Sequence, residues 1–235
     1  VYIPKKNGKS RPLGIPSFED KLVQEVTRMV LEAIYEGHFE STSHGFRPYK
    51  SCHTALTQIQ RQFTGTRWFI EGDIKGFFDN IDHNILIAIL RERISDERFL
   101  RLIRKFLNAG YIENWKYNRT YSGTPQGGII SPILSNIYLD KFDKYIREYT
   151  KKFNVGIKRQ RNAAYFRVNT RAVNLRKMLK SETDPCVKAE LAEKVKSLQL
   201  ELRTLPCSHE IDENYKRMKY ARYADDFLIG VIGSK

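Results

Sequence analysis

The sequence predicts an α+β fold: an antiparallel sheet backed by helices, interrupted by a basic helical insertion. Three observations carry that expectation. The segments Arg217–Arg222 and Phe227–Ile232 flank Tyr223-Ala224-Asp225-Asp226 and read as two strands of a hairpin that turns at the acids. Apolar residues recur at helical spacing through several segments upstream of that hairpin. Between the two lies a stretch, residues 151–180, with ten lysines and arginines and no acid at all.

Taken in order, residues 1–16 suggest a hairpin that turns at Lys6-Asn7-Gly8-Lys9 and returns through Arg11–Pro16. A helix follows, with Ser17 as N-cap and Asp20 three residues on. Leu22, Val26, Met29, Val30 and Ala33 form its expected buried stripe and Gly37 its end. Thr66–Asp73 alternates like a strand. Asp82 caps a helix carrying Ile85, Leu86, Ile89 and Leu90, and another runs from Ser95 to about Asn108, with Gly110 beyond it. Ser131-Pro132 opens a longer helix, with Ile133, Leu134, Ile137, Tyr138, Phe142 and Tyr145 expected inward, because proline suits the first helical position. Leu191, Val195, Leu198, Leu202 and Leu205 alternate steps of four and three, a short coiled-coil-type seam. It packs either on its own domain or on a second copy of the chain, which would make a homodimer.

Composition narrows the function classes. A hydrophobic fraction of 41% with 12% aromatics is that of a globular protein. The net charge of +14 favours a polyanionic partner, of which nucleic acid is the common one. Cys52, Cys186 and Cys207 are far apart with no CxxC, and the five histidines show no zinc-ligand spacing, so reduced thiols in a cytosol-like compartment are expected. No apolar run approaches a membrane span and no signal peptide opens the sequence, so no membrane partner is expected. Val1 begins as though mid-strand, which reads as a piece of something longer.

Asp225 and Asp226 are adjacent at a tight turn. Two bare carboxylates about 4 Å apart repel by roughly 4 kcal/mol at an effective dielectric near 20, and a cation relieves that. Turn chemistry alone is the bland alternative. Asp73 ends a strand and the chain turns at once through Ile74-Lys75-Gly76-Phe77-Phe78, so its carboxylate and the Ile74 carbonyl can face a metal; a strand-end cap is the alternative. Three carboxylates from two strands are enough for two magnesium ions about 3.5–4 Å apart, which suits in-line phosphoryl displacement. Gly123–Gly128 precedes the Ser131 helix, and Gln126 offers a donor and an acceptor near a sugar or base; it also reads as a tight loop. Lys5, Lys6, Lys9 and Arg11 surround a turn that either folds over a triphosphate or is simply solvated.

Five blocks occur in order: Arg11-Pro12-Leu13-Gly14-Ile15-Pro16, His44-Gly45-Phe46-Arg47-Pro48, Asp73-Ile74-Lys75-Gly76-Phe77-Phe78, Gly123-Thr124-Pro125-Gln126-Gly127 and Tyr223-Ala224-Asp225-Asp226. Their succession resembles the blocks of reverse transcriptases, and their wording is most similar to the proteins encoded by group II introns, which copy RNA into DNA and act as maturases. The resemblance implies a right-hand polymerase, with fingers at 1–70, palm with fingers helices at 71–149, the basic helical insertion at 150–216 and a palm hairpin at 217–235. It implies Asp73, Asp225 and Asp226 as catalytic metal-binding acids, with the Ile74 carbonyl as a further ligand and two Mg2+ ions. Lys5, Lys6 and Arg11 are implied to grip the incoming dNTP, and Gln126 and Gly127 to contact it. Phe77 or Phe78, with Phe78 favoured by its spacing from Asp73, becomes the gate that excludes a 2′-hydroxyl.

The implied activity is RNA-directed DNA synthesis, the transfer of dNTPs onto a primer 3′-hydroxyl on an RNA template. Group II intron RNA is the implied second partner, with Arg47, Lys158, Arg159, Arg161, Arg167 and Arg171 as candidate RNA contacts. A cytoplasmic site in a bacterial host is expected, with an organelle as the alternative. The family also adds an N-terminal extension, further palm strands, a thumb, a maturase domain and, in some members, DNA-binding and endonuclease parts. None is expected within these residues, so the fragment is expected to fold but to polymerise weakly or not at all. The alternatives are a maturase whose polymerase activity has decayed, a retron or diversity-generating reverse transcriptase and, most distantly, an RNA-dependent RNA polymerase.

Overall fold

The computed structural model describes residues 2–4, 10–113, 115–124, 127–209 and 212–233. The chain forms two compact units: residues 1–151 with 219–230, and residues 152–218 with 231–235.

The first unit opens with the expected hairpin, β1 (Tyr2–Pro4) antiparallel to β2 (Ser10–Pro12), with Tyr2 opposite Pro12. Helix α1 (Phe18–Tyr35) starts where its cap demands: the Ser17 hydroxyl accepts the Asp20 backbone N–H at 3.1 Å, and Glu19 and Asp20 complement the helix dipole. Its buried face is not the expected one. Gln24, Thr27, Leu31 and Tyr35 face inward, whereas Leu22, Val26, Met29, Val30 and Ala33 are exposed, Val26 at 62%. The inward polar groups are all bonded: Gln24 accepts the Ile129 N–H, the Thr27 hydroxyl donates to the Val23 carbonyl, and the Tyr35 hydroxyl donates to the Leu90 carbonyl. Satisfied polar groups at helical spacing can be buried at little cost, and the more apolar stripe is left outside.

Next come α2 (Cys52–Gln62), β3 (Trp68–Asp73), the short turn α3 (Phe77–Asn80), α4 (His83–Arg91) and α5 (Glu97–Asn108). Aspartates start α4 and α5: Asp82 accepts from Asn84 and Ile85, and Asp96 from Arg98 and Phe99. A small hairpin, β4 (Tyr111–Glu113) with β5 (Lys116–Asn118), leads to the long helix α6 (Ser131–Phe153). Leu31, Leu86, Leu90, Leu100, Ile103 and Leu134 are the centre of the core these helices share. Each contributes about 1.5–3 kcal/mol by burial. On α6, Ile133, Leu134 and Ile137 point inward as expected, but Tyr145 is 64% exposed and Ile146 is buried in its place. The helix is rotated so that Asn136 and Asp143 face the sheet, where they have partners.

That sheet has the order β3-β7-β6, with β6 (Arg217–Tyr223) and β7 (Asp226–Ile232) forming the hairpin. Ile74, just past β3, donates to the Asp225 carbonyl just before β7, while Gly230 lies against Phe63 and Thr66, which precede β3. The two strands therefore run antiparallel. Gly72 has no side chain because the Phe227 ring occupies the place of its Cβ. Along the outer edge of β6, Thr42–His44 adds a short ladder through Arg222 N–H to Thr42 O and His44 N–H to Arg222 O, both 2.9 Å.

In the second unit α7 (Ala163–Ser181) and α8 (Pro185–Thr204) pack on each other, capped by Asn162 and Asp184. Ala172 of α7 and Leu191 and Val195 of α8 are buried. The leucine seam thus has its partner inside the chain, in α7. No helix among the described residues is long and apolar enough to cross a membrane.

Candidate active site

The backbone brings the acids of β3 and the β6–β7 turn to one corner of the sheet. Ile74 N–H donates to Asp225 O at 3.4 Å, which places Asp73 beside the turn. Ala224 supplies the turn with a left-handed conformation, φ 55°. Asp226 feels the crowding: partial burial, then repulsion from Asp225, Asp73 and Glu71, pushes its carboxyl above the ordinary carboxylate range. Glu71 is a fourth acid that no motif singles out. It lies two residues before Asp73 on β3, so the two share a face, and that period was the available signal.

Carboxylate oxygens are the hard donors magnesium takes, and a cation would relieve the repulsion on Asp226, so the chemistry of the donor set fits the implied ion. The side chains are not drawn together as a ligand set, however. Among the described residues, no group of three or more His, Cys, Asp or Glu side chains is placed to hold a metal ion. The Ile74 carbonyl accepts the Phe77 N–H at 3.1 Å, which leaves one of its two lone pairs for any other partner.

The glycine-rich loop is clamped on two sides. Gly123 N–H donates to Ile81 O at 2.8 Å and Thr124 N–H to Phe78 O at 2.7 Å, with the Ser122 hydroxyl on Asp79 O. His83 Nε2 holds the Gly123 carbonyl at 2.7 Å, a buried contact that no motif announced. At the other end Gly127, φ 105°, lies so close to the Gly14 carbonyl that a Cβ would collide with it. The Gly123 block, the Arg11–Pro16 block and the turn after Asp73 therefore form one connected surface. Phe77 is buried against Tyr138 and the core, whereas Phe78, packed on the edge of that core, is half-buried and the more accessible of the two. Arg11 pairs with Ile3 in the β1–β2 ladder; its side chain, like Lys5, Lys6 and Gln126, lies outside the described residues.

One candidate RNA contact is corrected. The Arg47 side chain is 6% exposed. Its guanidinium bonds the Glu36 carboxylate at 2.7–3.2 Å and the carbonyls of Glu40 and Ser43 at 2.7 and 2.8 Å, and it lies over the Phe39 ring. Those donors are committed inside the protein, so Arg47 organises its own loop instead of facing RNA. In the second unit Lys158, Arg161, Arg167 and Arg171 are exposed and Arg159 is half-buried. Arg161 stacks on Phe166, and Phe166, Arg167, Thr170 and Arg171 line a shallow surface cleft.

An antiparallel sheet with acids at neighbouring strand ends, backed by helices and with a glycine loop bonded to the turn that follows β3, is the fingers-and-palm architecture of a polymerase. The family described as reverse transcriptase (RNA-dependent DNA polymerase) matches residues 3–166, and the chain belongs to that family. Among curated proteins, it is 52% identical over 239 residues to the group II intron-encoded protein LtrA of Lactococcus lactis subsp. cremoris, which covers the whole chain and 39% of that relative. It is 44% identical over 237 residues to an uncharacterized 91 kDa protein in the cob intron of Schizosaccharomyces pombe, again over the whole chain and 28% of the relative. Similarity to the mitochondrial nuclear intron maturase 1 of Arabidopsis thaliana is weaker, 27% over 183 residues, covering 56% of this chain and 26% of that one. The chain thus spans well under half the length of these relatives.

Proposed function

We propose that this chain carries the nucleotide-addition site of a group II intron reverse transcriptase, adding dNTPs to a primer 3′-hydroxyl on an RNA template. The observation that carries the reading is the meeting of Asp73 with the Asp225-Asp226 turn at one sheet corner, beside the clamped glycine loop. Bound divalent ions would supply charge neutralisation for the phosphates there. The residues do the positioning: Asp73, Asp225 and Asp226 would hold the ions, Asp226 also shapes the corner, and the Gly123–Gly127 loop supports the nucleotide. The half-buried Phe78 ring lies under the sugar and leaves no room for a 2′-hydroxyl.

The exposed cations of the insertion, Lys158, Arg161, Arg167 and Arg171 with Arg159 beside them, bind intron or template RNA, and the protein assists its intron's splicing. The family membership and the likeness to an intron-encoded protein support that partner. A cytoplasmic site is supported by three exposed, free cysteines, which suit a reducing compartment. Primer extension by the full-length protein on an RNA template with Mg2+ and dNTPs tests the reading. Extension abolished by Asp225→Ala supports it, and an Asp225→Ala protein that polymerises normally rules it out.

A further inference from the structure

A charged side chain is sealed behind the acidic corner. Arg222 is 1% exposed, and Asp143, its counter-ion on α6, is 2% exposed. All five guanidinium N–H donors are taken. Nε and Nη2 grip the two oxygens of Asp143 at 2.8 and 2.6 Å, Nη2 also reaches the Ser43 hydroxyl at 2.8 Å, and Nη1 donates to Asn136 Oδ1 at 3.2 Å. The fifth bond differs in kind: Nη1 donates to the backbone carbonyl of Ala224 at 2.6 Å, inside the turn that carries Asp225 and Asp226.

Other contacts hold the same turn from behind. Asn136 Nδ2 donates to the Gly45 carbonyl at 2.8 Å, and Gly45 lies so close to the Ala224 N that only glycine fits there. Ala224 itself holds a left-handed backbone, φ 55°, which a non-glycine residue keeps only when its surroundings impose it. A buried ion pair is not needed to fill a core, since apolar residues of similar volume do that at least as well. No apolar residue, however, could hold a carbonyl in place.

We propose that Arg222 is a positioning residue: with Asp143, Asn136 and Gly45 it latches the Ala224 carbonyl and so fixes the direction in which Asp225 and Asp226 present their carboxylates to a divalent cation. The proposal rests on the reading of those acids as metal ligands. It makes the His44–Pro48 block a support for the metal corner, a role distinct from RNA contact. Arg222 acts on the acids through the backbone, so its loss shows in metal affinity as well as in the folding cost of an unpaired Asp143.

The test is Mn2+ titration of this chain followed by electron paramagnetic resonance, with melting temperature measured in parallel. Arg222→Lys keeps a cation beside Asp143 but lacks the fork that reaches Ala224, and it should weaken Asp225-dependent Mn2+ binding at least about tenfold. Tyr220→Phe, which removes only the hydroxyl on Asp143, should lower the melting temperature and leave Mn2+ affinity within about twofold of the parent. Gly45→Ala presses directly on the Ala224 backbone and should also weaken Mn2+ binding, which keeps the test decisive if Arg222→Lys does not fold. Parental Mn2+ affinity in the folded Arg222→Lys chain, or in Gly45→Ala if that alone folds, overturns the proposal, as does an equal loss in Tyr220→Phe. Parental binding that Asp225→Ala leaves untouched overturns the metal reading itself, and the latch with it.

Discussion

Asp143→Ala is the most severe single change the fold anticipates. Asp143 accepts both arms of the Arg222 fork and the Tyr220 hydroxyl, and all three groups are buried. Burial, with the Asp143 charge and hydrogen bond alongside, pushes the Tyr220 phenol well above its ordinary range, as expected of a sealed site. Removing the carboxylate leaves a guanidinium with no counter-ion in the interior, a change that costs about 3–5 kcal/mol. At about 2–4 °C per kcal/mol for a unit of this size, the melting temperature should fall by about 6–20 °C. A contrast sharpens the reasoning. Asp143→Leu combined with Arg222→Leu removes both charges and should recover most of the loss, whereas Glu92→Ala, which breaks the exposed pair with Lys141, should cost no more than about 1 kcal/mol. Differential scanning calorimetry measures all three. An Asp143→Ala chain that melts within about 2 °C of the parent would refute the buried pair.

Other consequences are direct. Because folding raises the Asp226 pKa, the folded chain binds that proton more tightly than the unfolded one. The stability linked to this group is therefore highest at low pH, falls as pH rises through the raised folded value and levels off above it. Asp226→Asn should abolish that fall and gain on the parent as pH rises above about 4, the ordinary aspartate value, in urea titrations, and parallel curves would contradict it. Phe78→Ala in the full-length protein should raise ribonucleotide use relative to deoxynucleotide use in competition assays, with unchanged discrimination counting against the gate. Arg167→Ala with Arg171→Ala should weaken RNA binding across sequences and make the log–log salt slope shallower by about 0.7–0.9 for each phosphate no longer neutralised. An unchanged slope would move the RNA interface elsewhere.

Local chemistry was the legible part of the sequence. Ser17 and Asp82 announce themselves through short-range bonds from their side chains to the following backbone, and their helices begin where those bonds require. Helix α5 shows the limit of such signals: it begins at Glu97, capped by Asp96, and not at Ser95. Which face of an element turns inward is a long-range matter. Thr27 satisfies its hydroxyl locally on the Val23 carbonyl, but Gln24 is buried because Ile129 N–H, 105 residues away, meets it there, and nothing within residues 17–37 encodes that. Arg47 reads as a nucleic-acid contact from its charge, yet Glu36 and two carbonyls claim it. Arg222 and His83 sit in a strand and at a helix start with no motif to mark them. The one hint was that Arg222 shares the period-two register of Met218 and Tyr220, and its partner lies 79 residues away.

Anomalous diffraction from crystals of this chain grown with Mn2+ bears most directly on the whole interpretation. An ion held by an Asp73 oxygen and an Asp225 oxygen, each at about 2.0–2.2 Å, is the expected result. Strong Mn2+ peaks elsewhere, with residues 73 and 225 bare of metal at saturating ion, would contradict it.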